Sequence, residues 1–333
     1  MSKPIRRSRG RILLVCVFVA AAIFAGILCL FRAPDVEHQD VNEQEPETDV
    51  SVDNALSAEE AAAAAALAAH MERKENFYTI LVSGIDDGNG GSDTNILLAV
   101  DAGEGRIHGV SIPRDTKCII NSNSQKINYA YAAGGMPLLA DTVSHQLGIP
   151  VDFTVKVNLK GFIALVDAIG GVNFYVPVDM DYDDPLQNLS IHYKKGMQHL
   201  SGQQAMEVVR FRHNTDPTVI AYGNEDIGRM NTQQEFLKAV AKQTLTLSNV
   251  DKVGQFAKIF QQYVETDLSL GNLAWLGKEA IAMGTENITF STLPGTWKSP
   301  YIYLDQEAVL TLINESLNPY VEDRVMADLN IPD

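Results

Sequence analysis

The chain of 333 residues carries 42 Asp and Glu against 26 Lys and Arg, a formal net charge of −16 at pH 7. So acidic a surface repels nucleic acid in general, and three cysteines are too few for a disulfide framework. An apolar core has to hold the fold.

The first 11 residues, "MSKPIRRSRGR", hold five positive charges and no acid. The next 20, "ILLVCVFVAAAIFAGILCLF" (12–31), hold no charge and are long enough to cross a bilayer as a helix. Basic residues before the span and acidic ones after it orient the N-terminus to the cytoplasm. An uncleaved anchor is favoured over a cleaved signal peptide, because the run exceeds a usual h-region and no A-x-A-like site follows. Cys29 follows Leu28, where a lipoprotein cleavage site wants a small residue. The expectation is a single-pass protein of the cell membrane with its C-terminal part extracytoplasmic. Beyond residue 11, 21 Lys and Arg face 42 acids, and the 11-residue tail cannot hold a DNA-binding domain. Cys16 and Cys29 fall in the span, which leaves Cys118 by itself.

Residues 32–75 are expected to be an acidic linker followed by an Ala-rich helical spacer at 57–75. Ser57 and Glu60 fit a capping box, and the spacer would be about 28 Å long at 1.5 Å per residue. The folded domain is expected over 76–333. Strand-like runs at 78–85, 94–100, 106–112, 153–158, 172–177 and 287–292 alternate with helical patterns. Those patterns cover 136–147, 160–169, 201–209, 226–246, 251–264, 270–283 and 305–317. Their interspersion predicts an α/β fold, a three-layer α/β/α sandwich with a central mixed sheet, preceded by the N-terminal transmembrane helix.

Four stretches place charge at loops or helix starts. In "GIDDGNGGSDTNILLAV" (84–100), Asn89-Gly90-Gly91 turns a hairpin that brings Asp86 and Asp93 together, where two hard oxygen donors can share a Mg²⁺. A plain turn flanked by aspartates is the alternative. In "GVSIPRDT" (109–116), Arg114 and Asp115 emerge from a strand end, where α/β sheets bind ligands, though a surface ion pair has the same pattern. "QKINYAYAAGG" sets Lys126 and Asn128 before a small-residue segment, as a binding element or simply a capped turn.

The fourth stretch runs from 205 to 240. An extended backbone through Val208-Val209-Arg210-Phe211-Arg212 would send Arg210 and Arg212 to one face. Paired guanidiniums repel unless an anion lies between them, and phosphate matches their planar fork. Asp226, Arg229 and Gln233 are spaced three and four apart, on one face of a helix, which also suits a merely solvated face. Together the four describe a site for Mg²⁺ and pyrophosphate, with an aspartate at hand as base. Phosphoryl transfer needs little else, being mostly positioning and charge neutralisation.

The order "SGID…SDT…SIPRDT…KIN.AYAAGG…LVDAIGGV…L.G.QAM..VRFR…D.GR…QQ.FL" resembles the LytR–CpsA–Psr family of bacterial cell-envelope proteins, over residues 78 to about 245. The resemblance implies a membrane-anchored enzyme with an apolar pocket for a polyprenyl chain. Its implied reaction is Mg²⁺-dependent transfer of a glycopolymer from undecaprenyl pyrophosphate to peptidoglycan. It implies metal association for Asp86 and Asp93. Pyrophosphate binding is implied for Arg114, Lys126, Arg210, Arg212, Arg229 and Gln233, and catalytic parts for Arg114, Asp226 and Arg229, with Asp226 as general base. Two departures stand out: Gly91 replaces the arginine of "RSDT", and Thr232 the second arginine of "GR..RQQ". Ten residues, "TDPTVIAYGN", are inserted between Arg212 and Asp226. A non-catalytic scaffold or sensor that binds polyprenyl-pyrophosphate-linked glycans is the second expectation. A transcriptional regulator is disfavoured by the short tail and the acidic exterior.

Overall fold

A computed structural model describes residues 32–36, 70–85, 91–185, 189–216, 218–222, 225–244, 258–259 and 262–333, without the side chains at 93, 225–227, 230 and 244. The expected tail 1–11, the span 12–31, the spacer up to residue 69, Asp86 and most of the expected helix 251–264 lie outside the described residues. Among the described residues no helix is long and apolar enough to cross a membrane.

The chain opens with β1 (Phe77–Ile85), β2 (Ser92–Asp101) and β3 (Arg106–Ile112). A hairpin, β4 (Lys117–Ile120) and β5 (Asn123–Lys126), leads into α1 (Ile127–Leu147). Then come β6 (Phe153–Asn158), α2 (Leu159–Ala168), β7 (Val172–Val176), β8 (Met180–Asp184), β9 (Leu189–Tyr193) and β10 (Gly196–Leu200). Helices α3 (Gly202–Arg210) and α4 (Glu225–Thr244) follow, then β11 (Val264–Thr266) and α5 (Leu270–Met283). The chain closes with β12 (Ile288–Thr292), a hairpin of β13 (Gly295–Lys298) and β14 (Tyr301–Leu304), and α6 (Gln306–Leu312).

Six strands form the central sheet in the order β11-β6-β1-β2-β3-β12. It is mixed: β2 runs antiparallel to both β1 and β3, while β6 is parallel to β1 and β12 to β3. The sequence of β1 explains its central place, because it is apolar on both faces. Leu81 joins Leu97 and Val110 under α1 and α6, packed by Leu139, Val143 and Val309. Tyr78 and Ile80 point the other way, toward Leu273, Leu276 and Met283 of α5. The expected mixed α/β architecture with a central mixed sheet is therefore present.

A second apolar cluster joins α2, α3 and α4 to β7 and β9 around Phe174, Phe211 and Phe236. Burying each phenylalanine contributes about 1.5–3 kcal/mol. The run 172–177 is a strand as expected, but it pairs with β10 outside the central sheet. Helix α1 begins nine residues before the expected 136–147 segment and is broken at Gly134–Gly135, where Gly135 takes φ +70° just ahead of Pro137. Of the expected helix 251–264, the last residue is instead the first of β11.

The chain ahead of β1 is laced to its far end. Arg73 grips Asp152 with two hydrogen bonds, of 2.7 and 2.8 Å, and Asp152 also accepts from Thr79 N and Oγ1. Backbone bonds join Lys74 N to Pro319 O and Val321 N to Glu72 O. His70 sets its two ring nitrogens 3.2 Å from Glu322 Oε2 and 3.2 Å from Asp328 Oδ1.

Candidate functional site

Strands β6, β1, β3 and β12 run parallel, so their carboxyl ends share one edge of the sheet. Ligands of open α/β sheets bind there. Asp93 is the second residue of β2, which begins beside the end of β1, so the backbone places it at that edge. The register pairs Ile85 with Ser92 and Gly84 with Thr94, which leaves Asp93 as a bulged residue between them. Bulges re-aim side chains beside functional sites. A buried chain of hydrogen bonds fixes the hairpin end, Ser83 Oγ to Asn95 Oδ1 (2.9 Å) and Asn95 Nδ2 to Ser92 Oγ (3.0 Å).

Arg114 and Asp115 leave the end of β3 in a turn closed by Thr116 N to Pro113 O at 3.0 Å. Lys126 caps α1 without a side-chain bond of its own, and the helix's first N–H groups go to this turn instead. Ile127 N donates to Thr116 O at 2.8 Å and Asn128 N to Arg114 O at 3.2 Å. Lys126 Nζ is 2.8 Å from Asp115 Oδ1, and Arg114 Nε 3.9 Å. The lysine contact is a charge pair off the hydrogen-bond axis, because Asp115 Oδ1 is buried and accepts no hydrogen bond among the described residues. Gly91 joins the same corner: a Cβ there would stand 3.5 Å from Asn128 O. Three of the four sequence stretches thus meet.

The fourth arrives on α3 and α4. The expected extended run through Arg210 is overturned: a capping box at Ser201 and Gln204 launches α3, and helical backbone continues through Arg210. Phe211 leaves the helix at φ −59°, ψ 133°, and Arg212 follows in an exposed loop. The alternation argument for their common face therefore fails. The pKa of Tyr182 is raised first by burial and by Asp184, with the charges of Arg212 and Arg210 opposing. Gln233 donates Nε2 to Val209 O at 3.0 Å, tying α4 to the last turn of α3. Its neighbour Gln234 bonds Thr292 Oγ1 at 2.5 Å, at the carboxyl end of β12. That bond brings α4, with Arg229 half-buried one turn earlier, to the same sheet edge. The side chain of Asp226 lies outside the described residues.

Sequence reasoning missed what surrounds Thr232, where the resemblance implied an arginine. Thr232 is 4 % exposed, and its hydroxyl is shared with Gly228 O and the Tyr222 hydroxyl, each at 2.9 Å. The Tyr222 ring lies on Gly228, where a Cβ would come within 2.2 Å of it, and 5.8 Å from the Phe211 ring. A cavity of about 530 Å³ opens beside this cluster, between β7 and α4, lined by Tyr175, Tyr222, Asn231 and Lys238. The β13–β14 hairpin, which follows β12 at the same edge, also went unread; an exposed tryptophan next to a lysine was its signal.

The LytR_cpsA_psr family model matches residues 35–318. The polyisoprenyl-teichoic acid–peptidoglycan teichoic acid transferase TagU of Bacillus subtilis is 30 % identical over 257 residues, covering 75 % of this chain and 79 % of that one. Its counterpart in Bacillus cereus is 35 % identical over 201 residues, covering 59 % of this chain and 62 % of its own length. Among solved structures, TagV of Bacillus subtilis superposes with a TM-score of 0.62 at 27 % identity, over 76 % of this chain and all of that one. By this match across most of its length, with the fold and the order of its site stretches in agreement, the chain belongs to the LytR_cpsA_psr family.

Proposed function

We propose that the chain is a membrane-anchored transferase that moves a glycopolymer from undecaprenyl pyrophosphate to a peptidoglycan hydroxyl outside the cytoplasm. The observation that carries this reading is the convergence of Arg114, Lys126 and the α3–α4 junction on the carboxyl edge of four parallel strands. The names of the relatives point to the same chemistry. In the reaction an acceptor oxygen bonds the phosphorus that bears the polymer, the P–O–P bridge breaks, and the lipid leaves as its monophosphate. Arg114, Lys126, Arg210, Arg212 and Arg229 hold the pyrophosphate charge, Gln233 positions the arginines through Val209, and Asp226 takes the hydroxyl proton.

Paired hard oxygen donors at one hairpin end would fit a Mg²⁺, and the bulge that carries Asp93 at the mouth of the β1–β2 hairpin supports that role for Asp93, with Asp86 as its expected partner. Bound there, the ion would supply charge neutralisation on the pyrophosphate. The described residues elsewhere contain no group of three His, Cys, Asp or Glu that could hold a metal.

A lipid pyrophosphate that binds only the folded state stabilises it by about 2.7 kcal/mol at 100 times its dissociation constant. Farnesyl or geranylgeranyl pyrophosphate should raise the melting temperature, the monophosphate should raise it less, and Arg210→Ala or Arg212→Ala should blunt the rise. No shift in the wild type would sink the reading. A non-catalytic, glycan-binding envelope protein is the second reading, favoured by Tyr222 closing over the place of the missing arginine. Lipid binding without any transfer of polymer to peptidoglycan would select it.

A further inference from the structure

The β13–β14 hairpin carries Trp297, Tyr301 and Tyr303, which the proposed reaction does not use. It follows β12 at the carboxyl edge of the sheet and is pinned to the candidate site by Ile302 N donating to Asp115 O at 2.8 Å. Trp297 is 54 % exposed, an unusual state for the largest apolar side chain. Lys126 Nζ lies 6.0 Å from its ring centroid and 2.8 Å from Asp115 Oδ1, so one ammonium stands between the indole and the pyrophosphate-binding turn. Lys117 and Lys298 both lie over Tyr303, at 4.8 and 5.5 Å, and Tyr301 packs edge-on against Tyr303 at 6.3 Å. Across the hairpin Trp297 is opposite Ile302 and Lys298 opposite Tyr301, so the open indole, with Lys126 beside it, takes one face, and Lys298, Tyr301 and Tyr303 take the other.

We propose that this hairpin is the acceptor platform: the exposed face of Trp297 stacks against a sugar ring of the peptidoglycan strand, and Lys126 beside it meets the strand's anionic groups. The inference deepens the transferase reading and rests on it. An aromatic face offers a sugar's C–H side an apolar surface, and an ammonium with three donors serves its hydroxyls and carboxylate. The openness of the platform favours the acceptor over the donor. A cross-linked strand arrives from solvent and needs a surface, whereas a lipid-linked donor is seated by its tail and pyrophosphate. Lys126 then touches both reactants and holds the acceptor hydroxyl next to the phosphorus it attacks.

The chain has two tryptophans, and Trp275 is packed edge-on against Tyr78 at 5.7 Å, so Trp275→Phe leaves Trp297 as the sole reporter. A soluble tetrasaccharide of N-acetylglucosamine and N-acetylmuramic acid should lower acrylamide quenching of its emission. The neutral N-acetylglucosamine tetramer should lower it less. In the otherwise native protein, Trp297→Ala should raise KM for the acceptor about three- to tenfold, Trp297→Phe should restore most of it, and neither should change the melting shift caused by farnesyl pyrophosphate. Should Trp275→Phe not fold, the difference in quenching between native protein and Trp297→Ala gives the same reading. No protection by the tetrasaccharide, with the pyrophosphate shift intact, overturns the platform and leaves the transferase reading standing. Protection only by a lipid-linked disaccharide pyrophosphate overturns the acceptor assignment. Protection without any pyrophosphate shift keeps the platform and overturns the transferase reading instead.

Discussion

Tyr222 and Thr232 share a 2.9 Å hydrogen bond across the start of α4, so the Tyr222 side chain fills the space beside Thr232, where the resemblance implied an arginine. Restoring the charge with Thr232→Arg should therefore be costly, because the buried site is already filled by a ring that Gly228 admits. Overpacking of this kind costs about 1–3 kcal/mol. Gly91→Arg should be nearly neutral, since its Cβ meets only ordinary contacts at 3.5 Å or more. Denaturant melts of both variants check this. Equal destabilisation would refute the idea that only Thr232 has been replaced structurally.

Gln233 is expected to act through α3. Gln233→Ala removes the bond to Val209 O and should cost about 0.5–1.5 kcal/mol of stability. Beyond that loss, the melting shift from farnesyl pyrophosphate should shrink, because the helix end bearing Arg210 is no longer held. An undiminished shift would make the bond purely structural.

Asp93 lies in a bulge, outside the ladder pairs on either side of it. Asp93→Ala should abolish the Mg²⁺ dependence of transfer while stability changes by no more than about 0.5 kcal/mol. Retained Mg²⁺ dependence would return Asp93 to the role of a turn residue.

The clasp at the C-terminal end should yield to acid. Burial pushes the Asp328 carboxyl up, but the Val325 N–H, His70 and the Arg324 charge together hold it below the usual carboxylate range. A group depressed in the folded state adds stability above its unfolded value, about 3.9, and loses it as pH falls through the folded value. Melting temperature should therefore drop below about pH 4, and Asp328→Asn should lower it at neutral pH while flattening the acid limb. An unchanged acid limb in that variant would place the sensitivity elsewhere.

Cys118 should be inert. It is 2 % exposed, and burial pushes its thiol up to about 11. With Cys16 and Cys29 changed to serine, the folded protein should resist Ellman's reagent at pH 8 and react once denatured. Rapid labelling of the native protein would show that the strand β4 opens.

How much of this was legible in the sequence depended on the length scale of each signal. The two-sided apolar run of β1 and the strand end at Pro113 are local patterns, and both survive in the structure. The small hairpins escaped notice because strands of four or five residues, such as 117–120 and 295–298, alternate polar and apolar side chains too briefly to show a period. Arg210 was misplaced because an extended run through Val208 and Val209 was set against the expected helix 201–209; the capping box at Ser201 and Gln204 launches that helix, which continues one residue further, through Arg210. The Tyr222–Thr232 contact had no local signal at all, since it joins an insertion to a helix ten residues on.

The parallel pairing of β3 with β12 carries a consequence for the order of folding. Ile107 is matched to Ile288, and Arg73 bridges to Tyr320, so the outer strand and the lead-in to β1 find their partners only far along the chain. Contacts of such separation are slow to form, and β3 keeps an unpaired edge until they do. An emerging chain therefore exposes that edge until residues 288–292 have been made. A truncation that removes residues 288–333 should for this reason yield aggregates rather than a smaller folded domain.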